Sequence, residues 1–145
     1  MVPGRTGALD LSAATTPDEP ALSVIVPAYN EAERLPATLD VLEAHLAAAA
    51  RAEIVVVDDG SSDATAAIVE ARPPTAVRRA CVRLEANRGK GRAVVAGVAA
   101  SRGQVIAFID ADLPYTLANL DEAVRLVASG EAEVALGARD LPASS

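Results

Sequence analysis

Val105-Ile106-Ala107-Phe108-Ile109-Asp110-Ala111-Asp112 is the stretch that decides how this chain folds. Its apolar residues, rich in β-branched side chains and preceded by Gly103, predict a strand that is buried on both faces. Asp110 and Asp112 follow at the carboxyl end, where open parallel sheets bind their ligands. Hard cations such as Mg²⁺ or Mn²⁺ would relieve the repulsion between these carboxylates, which suggests a metal site for a nucleotide diphosphate. Alternatively, one aspartate caps the following helix and the other is solvated.

Length and composition narrow the class of protein. A chain of 145 residues is expected to form one domain. The hydrophobic fraction is 51% and the aromatic fraction only 2%, so the core must consist of Val, Ile, Leu and Ala. The net charge of −7 argues against a nucleic-acid-binding protein, which would show a basic face. Cys81 is the single cysteine, which excludes an internal disulfide and a cluster of thiolate metal ligands.

The amino-terminal segment and the hydropathy bear on location. Residues 1–20 lack the apolar core of a signal peptide and are predicted to form a disordered leader. No stretch reaches the roughly 20 apolar residues that are needed to span a bilayer. We therefore expect a cytoplasmic protein, and a substrate on the membrane surface would bring it to the cytoplasmic face of the membrane.

Strand and helix patterns alternate along the chain. The predicted strands are 22–26, which is stopped by Pro27, then 53–57, 81–85, 105–109 and 133–137. The predicted helices are 35–50, 64–71 with Ser62 or Asp63 as cap, a third that begins within 87–92 and runs through Ala100, and about 117–128. Alternation at this spacing predicts an α/β fold with a parallel sheet, right-handed crossovers and helices on both faces. The third strand alternates in polarity and is expected near an edge.

Polar residues that are unusual for an apolar chain follow the predicted strands or open the next helix. Because the carboxyl ends of parallel strands share one edge of the sheet, we expect these residues to lie close together. This convergence is the main argument for a functional site. Its members are Tyr29, Glu31, Asp58, Asp59, Lys90, Asp110 and Asp112.

The loops at this edge have chemistry that suits a nucleotide. The stretch 58–61 offers acceptors for ribose hydroxyls or a base N–H, or forms an Asx-type turn with a helix cap. Pro27 and Tyr29 would give a base an apolar surface, or pack as ordinary loop residues. Lys90 lies between glycines at a helix start and would attract phosphate, in a pattern that is neither a P-loop nor a dinucleotide fingerprint. Arg139 would add a second cation, or lie on the surface.

Several of these motifs together are recognisable. Residues 22–31, 55–63 and 110–112 resemble the family-2 glycosyltransferases with the GT-A fold. Residues 87–91 and 137–139 narrow the resemblance to the dolichyl-phosphate β-glucosyltransferase and polyprenyl-phosphate sugar synthase branch. The resemblance covers about residues 22–141. It implies a Rossmann-like, three-layer α/β/α fold in which residues 21–145 form an incomplete nucleotide-sugar-binding domain.

The resemblance also implies a role for each candidate residue. Asp110 and Asp112 are expected to be the catalytic, metal-binding pair, with Asp112 as the direct ligand of Mg²⁺ or Mn²⁺. The full nucleotide-sugar site would comprise Pro27, Tyr29 and Glu31 around the base and ribose, Asp58 or Asp59 on the uracil or ribose, Lys90 on the nucleotide or its phosphates, the DxD element Asp110, Ala111 and Asp112, and Arg139 near the diphosphate and sugar.

The implied reaction is the inverting transfer of a sugar, with glucose the first choice, from a nucleotide diphosphate such as UDP to a polyprenyl or dolichyl phosphate. The chain ends at Ser145, whereas the family continues with an acceptor-binding half that would be absent here. One alternative is therefore a truncated nucleotide-sugar-binding module without turnover.

Two further alternatives name other substrates. A GDP-mannose-dependent polyprenyl-phosphate mannosyltransferase is disfavoured by Pro114, which stands where such enzymes often carry Gln. A nucleotidyltransferase would want a glycine-rich and basic loop after the first strand, which residues 27–31 do not supply.

Overall fold

The computed structural model describes residues 19–48, 51–112 and 117–133. Strands and helices alternate along this part of the chain, which confirms the predicted α/β class. The elements in order are β1 (Leu22–Ala28), α1 (Leu35–Leu46), β2 (Ala52–Asp58), α2 (Thr65–Ala71), β3 (Arg78–Arg83), α3 (Lys90–Ala100), β4 (Val105–Phe108) and α4 (Leu117–Ala128). None of the helices in the described ranges is long and apolar enough to cross a membrane.

The strands form one parallel sheet in the order β3-β2-β1-β4. Leu22 lies opposite Ala52 of β2 on one side and Val105 of β4 on the other. The two central strands β1 and β2 are almost wholly buried, as their continuous apolar sequences predicted. Among the described strands, β3 lies at an edge, as predicted for the third strand.

Helices cover both faces of this sheet. Val24 packs in a cluster with Leu39 of α1, and residues of α2 and α4 belong to the same cluster. On the opposite face Ile25 packs with Ala93 of α3. At Gly97 of α3 an added Cβ would lie 2.5 Å from Cγ2 of Ile25, so this glycine lets the helix approach the sheet closely. The result is the expected three-layer α/β/α arrangement.

The prediction that the strand before Asp110 is buried on both faces is wrong. Ile106 and Phe108 of β4 are 41% and 49% exposed. β4 lies at an edge of the described sheet, and α3 packs over β1 and β2 rather than over β4. Within the described ranges one face of β4 is therefore left open.

Pro27 was predicted to stop the first strand, but β1 continues through it to Ala28. On one side the carbonyl of Ala28 accepts a hydrogen bond from the N–H of Asp59, at 2.9 Å. On the other side the carbonyl of Ile25 accepts one from Ile109, just beyond the end of β4. In a strand, the backbone groups of alternate residues face the same neighbour, so the backbone of Pro27 faces β4, as that of Ile25 does. The pairing of β1 with β4 ends at Ile25, so the N–H that proline lacks falls beyond the paired residues.

The remaining boundary differences are small. β3 begins at Arg78 rather than Cys81, because it pairs with β2 from Glu53 onward. α1 ends at Leu46, ahead of the predicted end at residue 50. The predicted leader apart from residues 19–20, and the predicted strand 133–137 apart from residue 133, lie outside the described residues.

Candidate active site

The loops that follow β1 and β2 are joined by hydrogen bonds at the carboxyl edge of the sheet. Asn30, at φ +52°, donates its N–H to Oγ of Ser61 at 2.9 Å and accepts the N–H of Ser62 at 2.9 Å. Oγ1 of Thr65 accepts the N–H of Glu31 at 3.0 Å. Asparagine tolerates this left-handed backbone better than most residues. These contacts fix the backbone on both sides of the turn after β1.

Tyr29 stands at the start of that turn and is 45% exposed. Pro27 and Glu31, on either side, are half-buried. An exposed aromatic ring on a hydrogen-bonded turn is a suitable surface for a nucleobase. The roles predicted for these residues remain predictions.

Asp58 and Asp59, at the end of β2, are 6% and 4% exposed, and both accept backbone hydrogen bonds. Oδ1 of Asp58 accepts the N–H of Ser61 at 3.0 Å, which is the turn arrangement weighed above. The oxygens of Asp59 accept the N–H groups of Arg88 and Gly89, each at 3.0 Å. Asp59 therefore joins the end of β2 to the start of α3, a link that the sequence did not predict.

Asp63 forms a similar link at the start of α2. Its Oδ1 accepts the N–H of Thr65 at 2.9 Å and the hydroxyl of the same residue. The N-cap of α2 is Ala64, without a side-chain cap hydrogen bond, so the prediction that Ser62 or Asp63 occupies the cap is wrong by one residue. Its Oδ2 accepts the N–H of Ala32 at 3.2 Å. The hydroxyl of Thr65 lowers the pKa of Asp63 below its ordinary value.

Lys90 and Asp110 meet at this edge although they are twenty residues apart. Nζ of Lys90 contacts Oδ1 of Asp110 and lies 5.8 Å from the centroid of the Phe108 ring. The side chain of Lys90 is 53% exposed, so the pair is open to solvent and to ligands. The structure thus places the single lysine of the chain beside the predicted metal pair.

Arg34 is a member of the site that sequence reasoning missed. It precedes α1, and its Nη1 lies 3.8 Å from Oδ2 of Asp112. The hydroxyl of Thr38 in α1 donates to the carbonyl of Ala111, which attaches the DxD element to the same helix. The sequence could have indicated Arg34, because it is a basic residue in the loop after the first strand, which already contains the candidates Tyr29 and Glu31.

Comparison with known proteins identifies the family. The sequence profile described as glycosyl transferase family 2 matches residues 23–144. The chain belongs to this family. Within family 2 it is 44% identical over 101 residues to a dolichyl-phosphate β-glucosyltransferase of Dictyostelium discoideum, with 63% of this chain and 30% of the relative covered.

A second relative belongs to the same broad group. The chain is 39% identical over 114 residues to an undecaprenyl-phosphate 4-deoxy-4-formamido-L-arabinose transferase of Pseudomonas paraeruginosa, over 75% of this chain and 33% of the relative. These relatives, whose names contain dolichyl phosphate and undecaprenyl phosphate, confirm the resemblance to the polyprenyl-phosphate branch of the family. The family-2 chain spans about a third of the length of the curated relatives that it matches.

Solved structures confirm the GT-A fold. A mannosyltransferase from Pyrobaculum calidifontis, in complex with GDP-Man and Mn²⁺, matches with a TM-score of 0.63 at 30% identity, over 82% of this chain and 36% of that one. TarS 1–349 of S. aureus in complex with UDP-GlcNAc matches with a TM-score of 0.54 at 31% identity, over 70% and 31%.

The donor atoms of this family-2 chain fit a divalent metal that is shared with a substrate. No cluster of three or more His, Cys, Asp or Glu side chains capable of holding an ion occurs in the described ranges, so the protein supplies no complete cage there. Asp110 and Asp112 lie at the carboxyl edge, each with a cationic side chain beside it. Mg²⁺ is commonly bound through one or two carboxylates together with substrate phosphates and water, and these residues match that pattern.

Two cavities lie away from this site in the described part of the family-2 chain. One of about 210 Å³ is lined by Arg51 and Glu53 near the amino ends of the strands, and one of about 450 Å³ by Arg72 and Thr75 beside β3. No candidate residue lines either of them. Arg139 and Pro114 lie outside the described residues, and their assignments stay predictions.

Proposed function

We propose that this chain is the donor domain of an inverting glycosyltransferase that binds UDP-glucose at the carboxyl edge of its sheet. The pairing of Lys90 with Asp110 and of Arg34 with Asp112, which brings three distant parts of the chain to one edge, supports this proposal most directly. Tyr29 would lie against the uracil and Lys90 would contact the diphosphate. Arg139 would add a second cationic contact near the diphosphate and the sugar.

The proposed acceptor is a polyprenyl phosphate, whose chemistry suits such a site. A phosphate monoester has a second pKa of about 6, so its oxygen is already largely anionic near neutral pH. A strong general base is therefore less necessary than it would be for a sugar hydroxyl. The protein has mainly to position donor and acceptor at the membrane surface. Bound at Asp110 and Asp112, Mg²⁺ or Mn²⁺ would stabilise the charge on the departing nucleotide.

Binding of UDP-glucose tests the metal part of this proposal. In Asp112→Asn we expect the affinity measured by calorimetry with Mn²⁺ to fall about tenfold or more, because a carboxylate ligand is lost. Glu122→Gln is the matched control, since it removes the same charge from an exposed ion pair on α4. Equal affinity with and without Mn²⁺ in the wild-type protein would argue against the metal role.

Transfer distinguishes an enzyme from a module that only binds the nucleotide sugar. The wild-type chain is incubated with radiolabelled UDP-glucose, Mn²⁺ and a short-chain polyprenyl phosphate, and the lipid is extracted. We expect a labelled lipid that is absent with Asp112→Asn. Tight binding of UDP-glucose without any labelled lipid would support the binding module instead.

GDP-mannose is the second candidate donor, because the matching Pyrobaculum mannosyltransferase is in complex with GDP-Man. Competition separates the two donors. We expect UDP to displace a fluorescent UDP-glucose analogue at a concentration at least about tenfold lower than GDP does. The reverse order would favour the mannose donor.

A further inference from the structure

We infer that Asp59 is a positioning residue, which clamps the start of α3 and thereby fixes Lys90 at the rim of the site. This inference rests on the proposed function, in which Lys90 contacts the donor diphosphate. It assigns to Asp59 an action through the loop 86–89, which we call the α3 entry loop.

The first observation is the geometry of the carboxylate. Asp59 is 4% exposed, and its two oxygens accept the consecutive N–H groups of Arg88 and Gly89 at 3.0 Å each. Its own N–H donates to the carbonyl of Ala28 at 2.9 Å. A buried anion that accepts two backbone N–H groups forms strong, directional hydrogen bonds. Asp59 is therefore fixed to β1 on one side and holds the α3 entry loop on the other.

The second observation is that Gly89, which Asp59 holds, directly precedes α3. Gly89 has φ +96°, a conformation that residues other than glycine rarely adopt, and α3 begins at the following residue, Lys90. The carbonyl of Gly89 accepts the N–H of Ala93 at 3.1 Å, which starts the helical hydrogen bonds. Any displacement of Gly89 is therefore passed directly to the backbone of Lys90.

The third observation is that the α3 entry loop also packs against the turn after Asp59. A Cβ added at Gly60 would lie 2.5 Å from the carbonyl carbon of Ala86 and 2.5 Å from the nitrogen of Asn87. The N–H of Leu84 donates to the carbonyl of Asp58 at 2.9 Å. Asp59 and Gly60 thus contact this loop along its length, and Asp58 holds Leu84 just before it.

These contacts explain why a carboxylate is needed at this position. An asparagine offers one acceptor oxygen and one NH₂ group, and the NH₂ would face an N–H that it cannot satisfy. Asp59→Asn should therefore release one end of the α3 entry loop and let Lys90 leave the rim. Asp58 differs, because only its Oδ1 accepts a hydrogen bond from the described residues.

A double-mutant cycle tests whether Asp59 acts through Lys90. The affinity for UDP in the presence of Mn²⁺ is measured by calorimetry for the wild type, Asp59→Asn, Lys90→Gln and the double variant. Glu53→Gln is the matched control. It lies on β2, the strand that ends just before Asp59, is 2% exposed and also accepts a backbone N–H, that of Arg102 at 2.8 Å, but at the opposite end of the sheet.

We expect Asp59→Asn to weaken UDP binding by about tenfold in the wild-type background and by less than about twofold when Lys90 is already Gln. Glu53→Gln should change the affinity by less than about twofold in both backgrounds. A tenfold loss from Asp59→Asn in both backgrounds would overturn the inference, because the effect would then not pass through Lys90.

A second variant and a second measurement cover the remaining outcomes. Gly89→Ala strains the same loop but leaves the carboxylate of Asp59 in place and, if the inference holds, gives the same non-additive loss with Lys90→Gln. Amide hydrogen exchange in the ligand-free protein should show Arg88 and Gly89 protected in the wild type and in Glu53→Gln. In Asp59→Asn at least one of the two amides should lose protection, and we expect this at Arg88 first, because the N–H of Gly89 also donates to Oδ1 of Asn87 at 3.1 Å. If the wild type fails to bind UDP, the proposed function fails while exchange still decides the clamp. Unchanged protection in Asp59→Asn overturns the clamp whatever UDP does.

Discussion

Lys90 forms an ion pair with Asp110, and it thereby neutralises a charge that a bound metal ion could also neutralise. Nζ of Lys90 contacts Oδ1 of Asp110, while Arg34 lies near Asp112. A metal ion that binds to these carboxylates must therefore displace the side chains of Lys90 and Arg34 or share the carboxylates with them. The sequence predicted that Lys90 contacts the nucleotide or its phosphates. The structure adds Asp110 as a second partner of Lys90, which would compete with that contact.

Lys90→Gln should consequently strengthen the binding of Mn²⁺ to the nucleotide-free protein. Because the ion pair is partly exposed, we expect only about a two- to fivefold gain in affinity, measured by electron paramagnetic resonance of free Mn²⁺. UDP affinity should fall in the same variant. Lys90→Arg keeps the positive charge and is the control; an equal gain in Lys90→Arg would contradict competition by charge.

At the scale of the element, α3 is held against the sheet by small residues. Ala93 is fully buried and Gly97 lies against Ile25, whereas Gly91 on the same helix has open space around it. The sequence predicted this helix and its start, because the glycine-flanked Lys90 follows a strand and precedes an apolar repeat. It did not predict which glycine packs, because that depends on which face of the helix meets the sheet.

Gly97→Ala and Gly91→Ala should therefore have opposite effects on stability. The added methyl at position 97 would meet Cγ2 of Ile25 at 2.5 Å and lower the free energy of unfolding by about 1–3 kcal/mol. At position 91 the methyl enters open space and raises helix propensity, which adds up to about 1 kcal/mol. Urea unfolding measures both, and similar effects of the two variants would show that α3 does not contact the sheet at Gly97.

At the scale of the whole molecule, a partly buried charge cluster ties α1 to the far edge of the sheet. Glu43 of α1 is 6% exposed and accepts hydrogen bonds from Arg79 of β3 at 2.6 Å and from Arg72 at 3.2 Å. Arg72 also contacts Asp40, and this carboxylate, together with Glu43, raises the pKa of the guanidinium. The cluster is remote from the candidate site and serves the fold.

Glu43→Gln should lower the free energy of unfolding by about 3 kcal/mol, since it leaves two largely buried arginines without their shared anion. Asp40→Asn is the control: it removes a carboxylate from the same Arg72, but its side chain is 70% exposed, so the loss should stay below about 1 kcal/mol. Equal losses in urea unfolding would show that burial does not strengthen the Glu43 pair.

The sequence by itself determined the order of the elements, the parallel sheet and the edge at which polar residues collect. These features follow from local patterns, since continuous apolar runs specify central strands and alternation with helices specifies parallel connections. The polar turn before α2 was predictable for the same reason, but the exact cap was not, because Ala64 and not Ser62 or Asp63 stands at the N-cap.

Only the tertiary structure decided that β4 lies at an edge of the described sheet with Phe108 exposed, that Asp59 holds Arg88 and Gly89, and that Arg34 approaches Asp112. Each of these depends on strand order and on which distant loops touch. Hydrogen-bond donors and acceptors of the same kind occur in every loop, and their pairing is settled when the sheet brings particular loops within about 3 Å of each other.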